Sequence, residues 1–253
     1  GWAARSAAAR ALMDRHRGAK HRSWPTLLAD LGTVRPDRLG PVAVRAHPGG
    51  CTVWHDPDRH PEPAVDHFVP ATNAERLATG SGRGQAALVS HALGTEVLRH
   101  YRRGGLVAAW DLPVPVPVAA LHRPHGLTYS ADIAVGLIPH SSNLVQCLRA
   151  SRPAPAAWAA LGTAIRRLHD RQVFHADLNA HNLLLDAAGA AWVIDFDKCA
   201  VRPGDGWKRD NLDRLLRSLR KESRREPSFH WQEDDWPLLT SAYGQPPHRL
   251  EHP

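Results

Sequence analysis

His175-Ala176-Asp177-Leu178-Asn179-Ala180-His181-Asn182-Leu183-Leu184, followed by Val193-Ile194-Asp195-Phe196-Asp197, decides how this chain is read. Gln172-Val173-Phe174 makes a short apolar step into His175, and a tight loop then exposes Asp177. Leu183-Leu184-Leu185 reads as a short buried strand, Asp186-Ala187-Ala188-Gly189 as its turn, and Ala191-Trp192-Val193-Ile194 as the returning strand. Such a hairpin sets Asn182, at the start of one strand, beside Asp195, at the end of the other. One amide oxygen and one carboxylate suit Mg²⁺, a hard cation that keeps water and phosphate oxygens in its other positions. Asp177, five residues before Asn182, is then placed to accept the proton of an attacking hydroxyl. This layout moves a phosphoryl group from ATP to an alcohol.

Duller readings exist for each residue alone. A single loop Asp is usually a turn former, and His175 by itself reads as a hydrogen-bonded structural histidine. His175, Asp177 and His181 together resemble a metal cluster only weakly, because no Cys pair or matching histidine set supports zinc. The combined string and spacing favour phosphoryl transfer.

A nucleotide-covering lobe is expected upstream. Thr79-Gly80-Ser81-Gly82-Arg83-Gly84 is glycine-rich and leads into the strand candidate Gln85 to Ser90. Gly80, Gly82 and Gly84 let backbone N–H groups approach phosphates that side chains would block, although the same run also suits a plain hairpin turn. The next strand candidate is Thr95 to Tyr101. The only lysines are Lys20, Lys198, Lys208 and Lys221, so the strand lysine that usually holds ATP phosphates has no counterpart. Arg99 is the natural replacement, with a fork instead of a point charge.

These segments, with Val97-Leu98-Arg99-His100-Tyr101-Arg102-Arg103-Gly104-Gly105 and Ile194-Asp195-Phe196-Asp197-Lys198, resemble the 3-deoxy-D-manno-octulosonic acid (Kdo) kinase family of lipopolysaccharide core kinases. The tail, Trp207-Lys208-Arg209 and Asn211 to Lys221, is similar too, and the likeness spans roughly residues 65–245. It implies an α+β, two-lobed protein-kinase-like fold, with a small antiparallel-sheet N-lobe and a mainly helical C-lobe. It implies ATP-dependent phosphorylation of the Kdo sugar on lipid A, with Asp177 catalytic, Asn182 and Asp195 binding metal, and ATP and Mg²⁺ as cofactors. The partners it implies are a lipid-linked Kdo acceptor and the membrane surface, with no nucleic acid. The location it implies is the cytoplasm, peripheral on the inner face of a Gram-negative inner membrane. Heptose and aminoglycoside-type acceptors are the nearest rivals, and a degenerate, non-catalytic nucleotide- or lipid-binding protein is the alternative of another class.

One departure stands out. Such kinases follow the strand cation with a helix whose glutamate pairs to it, yet Gly105 to Asp111 runs straight into Leu112-Pro113-Val114-Pro115-Val116-Pro117. No glutamate lies between Glu96 and Glu222. The N-lobe is therefore expected to lack that helix, which leaves Asp111 or Asp132 as candidate partners for Arg99.

The organisation expected is an N-terminal extension over 1–64, an N-lobe over 65–138 and a C-lobe over 139–247. Val34 to Pro63 reads as linker or irregular loops, and Ile133 to Pro139 as the strand and hinge beside the adenine. Pro155 to Arg171 puts Trp158, Leu161, Ile165 and Leu168 on one helical face; Asn211 to Lys221 does the same with Leu212, Leu215, Leu216 and Leu219. Trp236, Leu238, Leu239 and Tyr243 suggest a closing helix. A length of 253 residues and 43% hydrophobic content fit one compact enzyme. Cys51, Cys147 and Cys199, odd in number and widely spaced, argue against a disulfide framework. A net charge of +7 suits ATP, anionic lipid or nucleic acid as partners, or simply a solvated Arg-rich surface. Arg102 and Arg103 are the candidates for contact with an anionic acceptor. No apolar stretch is long enough to span a bilayer, and Gly1-Trp2-Ala3-Ala4-Arg5 does not read as a secretory signal.

Overall fold

The computed structural model describes residues 43–69, 76–77, 86–91, 94–101, 112–125, 128–196 and 199–244. Gly80, Gly82 and Gly84, the stretch 102–111 with Arg102, Arg103 and Asp111, and Asp197 lie outside the described residues, as do residues 1–42.

The upper layer is one antiparallel sheet. In chain order its strands are β1 (Ala43–Ala46), β2 (Thr52–His55), β3 (Arg76–Leu77), β4 (Ala86–His91), β5 (Gly94–Tyr101), β6 (Pro117–His125) and β7 (Thr128–Gly136). They lie side by side in the order β1-β2-β6-β7-β5-β4-β3. Side chains alternate between faces along each strand. Val53, Leu98, Ala119, Leu121 and Ala134 meet on one face, and Phe68 from a short 3-10 turn over Val65–Phe68 covers them.

The reading of residues 34–63 as linker is corrected for β1 and β2. Pro48-Gly49-Gly50 is a tight turn between them, with Gly49 and Gly50 at φ 75° and 74°. Those values favour glycine, so this glycine-rich text turns the chain within a sheet. The N-lobe sheet thus recruits residues that the expected boundary at 64 assigned to the extension. Pro117 opens β6, where a missing N–H is tolerated, and a register irregularity follows between Pro117 and Ala119.

After Gly136 the chain passes through Leu137 and Ile138 to β8 (Ser142–Asn143) and into the lower lobe. Helix α1 (Leu144–Ala150) starts with a capping box between Asn143 and Gln146. Helix α2 (Pro155–Asp170) has proline in its first turn, and its Trp158, Leu161, Ile165 and Leu168 are fully buried. Next come β9 (Val173–Phe174), β10 (Leu183–Leu185), β11 (Ala191–Val193) and β12 (Ala200–Val201). Helices α3 (Gly206–Arg225) and α4 (Asp235–Tyr243) end the described chain. Gly162 of α2 lies so close to α4 that a Cβ built there would sit 2.1 Å from the Leu239 carbonyl oxygen. The closing helix is present as expected, but Leu238 is on its exposed side. One core joins α1 to α4 with β9, β10 and β11.

The result is an α+β, two-lobed protein-kinase-like fold. Among the described residues the upper sheet carries no α-helix, and no helix is long and apolar enough to cross a membrane.

Candidate active site

The site grows from the β10–β11 hairpin. Leu183 pairs with Val193 and Leu185 with Ala191, and the Ile194 N–H donates to the Asn182 carbonyl at 3.0 Å. Asn182 therefore faces Ile194 across the ladder, one residue from Asp195. Asp186 closes the turn, accepting from the N–H groups of Ala188 and Ala190 and from the Trp192 indole, each at 2.9 Å.

The loop carrying Asp177 is tied to this hairpin from both sides. His175 Nε2 donates to the Ile194 carbonyl at 2.9 Å, and its Nδ1 accepts from the Asp177 N–H at 3.3 Å. Burial pushes the His175 ring below its ordinary pKa despite the bond to the Ile194 carbonyl and the nearby Asp195 and Asp177 charges, so it stays neutral. Both ring nitrogens are thereby committed, and His181 faces Glu222 at 3.6 Å. The His175–Asp177–His181 metal cluster does not form. Leu178 plugs the core, and Asn179 caps the 3-10 turn Ala180–Asn182 through the His181 N–H at 2.9 Å. The Asp177 carbonyl accepts from the side-chain amides of both Asn179 (3.0 Å) and Asn182 (2.9 Å).

Asp177 keeps its carboxylate for the open side, where Arg214 of α3 donates to it at 2.6 Å. Burial works against the charged form, but the Arg214 hydrogen bond and charge, with Asn179 and His175, outweigh it and hold the carboxyl below its usual range. Asp177 is therefore ionised at neutral pH. Sequence reasoning missed Arg214, one arginine among several basic residues on α3.

Asp195 adopts φ 70°, uncommon for a residue with a side chain although Asp tolerates it better than most. Its carboxylate meets Arg99 of β5 at 3.1 Å. Arg99 thus has an acidic partner from the opposite lobe. Asp132 does not serve it: it pairs with Arg123 on the neighbouring strand. The donor chemistry fits Mg²⁺. The Asn182 amide nitrogen is committed to Asp177, leaving its oxygen, and Asp195 supplies a second hard oxygen.

A buried polar chain supports the loop from below. Asn211 of α3 donates to the His175 carbonyl at 2.7 Å, which fixes its amide orientation. Its oxygen then accepts from His169 Nε2 at 3.1 Å, and His169 Nδ1 accepts from the Tyr243 hydroxyl at 2.7 Å. Burial drives His169 down to about 4, against the Asn211 bond and with the help of the Lys208 charge, and burial lifts Tyr243 to about 12. Neutral imidazole and protonated phenol are the forms that this bond order requires.

Residues 107–243 match the family model described as lipopolysaccharide kinase (Kdo/WaaP) family. The chain is 34% identical to a 3-deoxy-D-manno-octulosonic acid kinase of Photobacterium profundum over 225 residues, covering 77% of this chain and 95% of the relative. A protein of the same name from Xylella fastidiosa is 39% identical over 207 residues, covering 70% and 82%. One from Vibrio cholerae serotype O1 is 35% identical over 197 residues, covering 67% and 83%.

Proposed function

The chain belongs to the lipopolysaccharide kinase (Kdo/WaaP) family, and on that premise we propose that it transfers the γ-phosphoryl group of ATP to a hydroxyl of Kdo carried on lipid A. The observation that carries the reading is the joint placement of Asp177, Asn182 and Asp195 by one loop and one hairpin. In this reaction Asp177 orients the acceptor hydroxyl and takes its proton as the oxygen bonds to the γ-phosphorus. The bond from that phosphorus to the β–γ bridging oxygen breaks, and ADP leaves. Asn182 and Asp195 are the residues to hold Mg²⁺, which would offset phosphate charge there. Arg99 is the cation for the phosphates and is held at the cleft by Asp195. Gly80, Gly82 and Gly84 are assigned to binding the ATP phosphates.

Arg214 gives the acceptor a chemical signature. It lies against the base, about half exposed, and Kdo is an acid whose carboxylate suits a guanidinium fork. Neutral heptoses and cationic aminoglycosides lack that match. The acceptor being lipid-borne, the enzyme works as a peripheral protein at the inner face of the inner membrane, in keeping with its net charge of +7. The degenerate, non-catalytic reading is motivated by the missing helix that would orient Arg99; the Arg99–Asp195 pair gives that arginine another acidic partner and weighs against it.

An acceptor panel tests the assignment. With labelled ATP and Mg²⁺, label should enter Kdo-bearing lipid A precursor and not a heptose or an aminoglycoside. Preferential labelling of either rival would overturn it.

A further inference from the structure

A second cluster of ligand-type side chains lies in the upper lobe, on the other face of the strand that presents Arg99. Residues 96 and 99 are an odd number apart on β5, so their side chains point to opposite faces. Glu96 is on the face that holds Leu98 and the upper core, and it is 4% exposed. It occupies a rigid position, paired to Val89 of β4 on one side and Gly136 of β7 on the other.

Two histidines converge on it from the segment after β2. His67 belongs to the 3-10 turn that Phe68 anchors in the core, and its Nε2 lies 2.9 Å from Glu96 Oε2. His60 is buried, and its ring meets that of His67 edge-on with centroids 4.1 Å apart. Its backbone is held in place: the His60 N–H donates to the Asp56 carbonyl at 2.7 Å, and its own carbonyl lies 2.6 Å from His55 Nδ1. One donor atom of each of His60, His67 and Glu96 lies within 4.8 Å of the other two.

We propose that His60, His67 and Glu96 form a structural site for a divalent transition-metal ion of the zinc class. Two imidazole nitrogens and a carboxylate oxygen are a donor set for such ions, whereas Mg²⁺ takes oxygen. Tetrahedral zinc with bonds of about 2.0–2.1 Å sets its ligands about 3.3 Å apart, close to the 2.9 Å between His67 and Glu96, and the His60 donor, within 4.8 Å of both, has at most about 1.5 Å to close. Water takes the fourth position. A dication compensates the buried carboxylate and uses both imidazoles in their neutral form. The ion fastens the segment 56–68 to β5 at Glu96, on the face opposite Arg99. This clamp packs the sheet on which no α-helix is described. It is independent of the reaction assigned to the other site.

The test uses the untagged full chain, freed of metal by a chelator and then titrated with Zn²⁺ against a competing chromophoric chelator. The wild type should hold one ion that raises its melting temperature. The His60→Gln/His67→Gln variant should bind zinc at least about 100-fold more weakly and lose the shift, whereas the surface control His230→Gln should keep both. Equal affinity in the double variant and wild type overturns the site, as does a wild type with no tight ion. Should the double variant fail to fold, X-ray absorption of the zinc-loaded wild type decides. Two imidazoles with oxygen donors uphold the site; sulfur ligation or no imidazole refutes it.

Discussion

Acidification should weaken this protein through one particular side chain, His169. The ring is buried between α2, α3 and α4, donates to Asn211, accepts from Tyr243 and is held at about 4 against an ordinary 6.5. Between these two values the unfolded chain binds the proton and the folded chain does not, so stability rises with pH across the window. The contribution is present in full above 6.5 and is lost as pH falls towards 4. Holding the ring at about 4 instead of 6.5 corresponds to about 3 kcal/mol overall, of which about 2 kcal/mol is lost between pH 7 and pH 5. Urea unfolding of the wild type and of His169→Gln at both pH values isolates the effect, because other titrating groups contribute to both proteins. The wild type should lose about 2 kcal/mol more than the variant over that interval, at unchanged denaturant dependence. The same pH loss in both proteins would refute the buried neutral imidazole, and with it the polar chain that supports the catalytic loop.

Two other perturbations follow from the geometry. Replacing Arg214 with Gln removes the strongest of the groups that hold Asp177 low, so the acid limb of the kcat/KM profile should move to higher pH. Superimposable profiles between pH 5 and pH 8 would contradict the pairing. Gly162→Ala puts a Cβ 2.1 Å from the Leu239 carbonyl oxygen, so α4 must move by roughly 1 Å. Overpacking of about 1–3 kcal/mol should exceed the gain in helix propensity of up to about 1 kcal/mol. Urea denaturation should therefore show net destabilisation, and a more stable variant would mean that the helices do not approach as described.

What could be read in advance was local. The hairpin Leu183–Val193 announces itself by two short apolar runs around Asp186 and Gly189, and its ladder then carries Asn182 to Asp195 without any distant contact. The apolar faces of α2 and α3 follow from the 3.6-residue period, and their burial matches. What escaped was non-local. β1 and β2 lie in proline- and glycine-rich text, and they count as strands only because β6, far along the chain, pairs with β2. Arg214 is one arginine among many on a basic helix, and only folding lays it on Asp177. Arg99 was expected to seek a partner within its own lobe, but Asp195 reaches it from the other. Leu238 misled because apolar composition in a short helix does not say which side it faces.

The central claim is that Asp177 serves as base in a working kinase. The direct measurement is transfer of label from γ-labelled ATP with Mg²⁺ to Kdo-bearing lipid A precursor, by the wild type and by Asp177→Ala, with ATP binding measured on both. The account predicts transfer by the wild type and a fall of about a hundredfold or more in the variant, with ATP still bound. Undiminished transfer by the variant, or a folded wild type that binds ATP and transfers nothing, would contradict it.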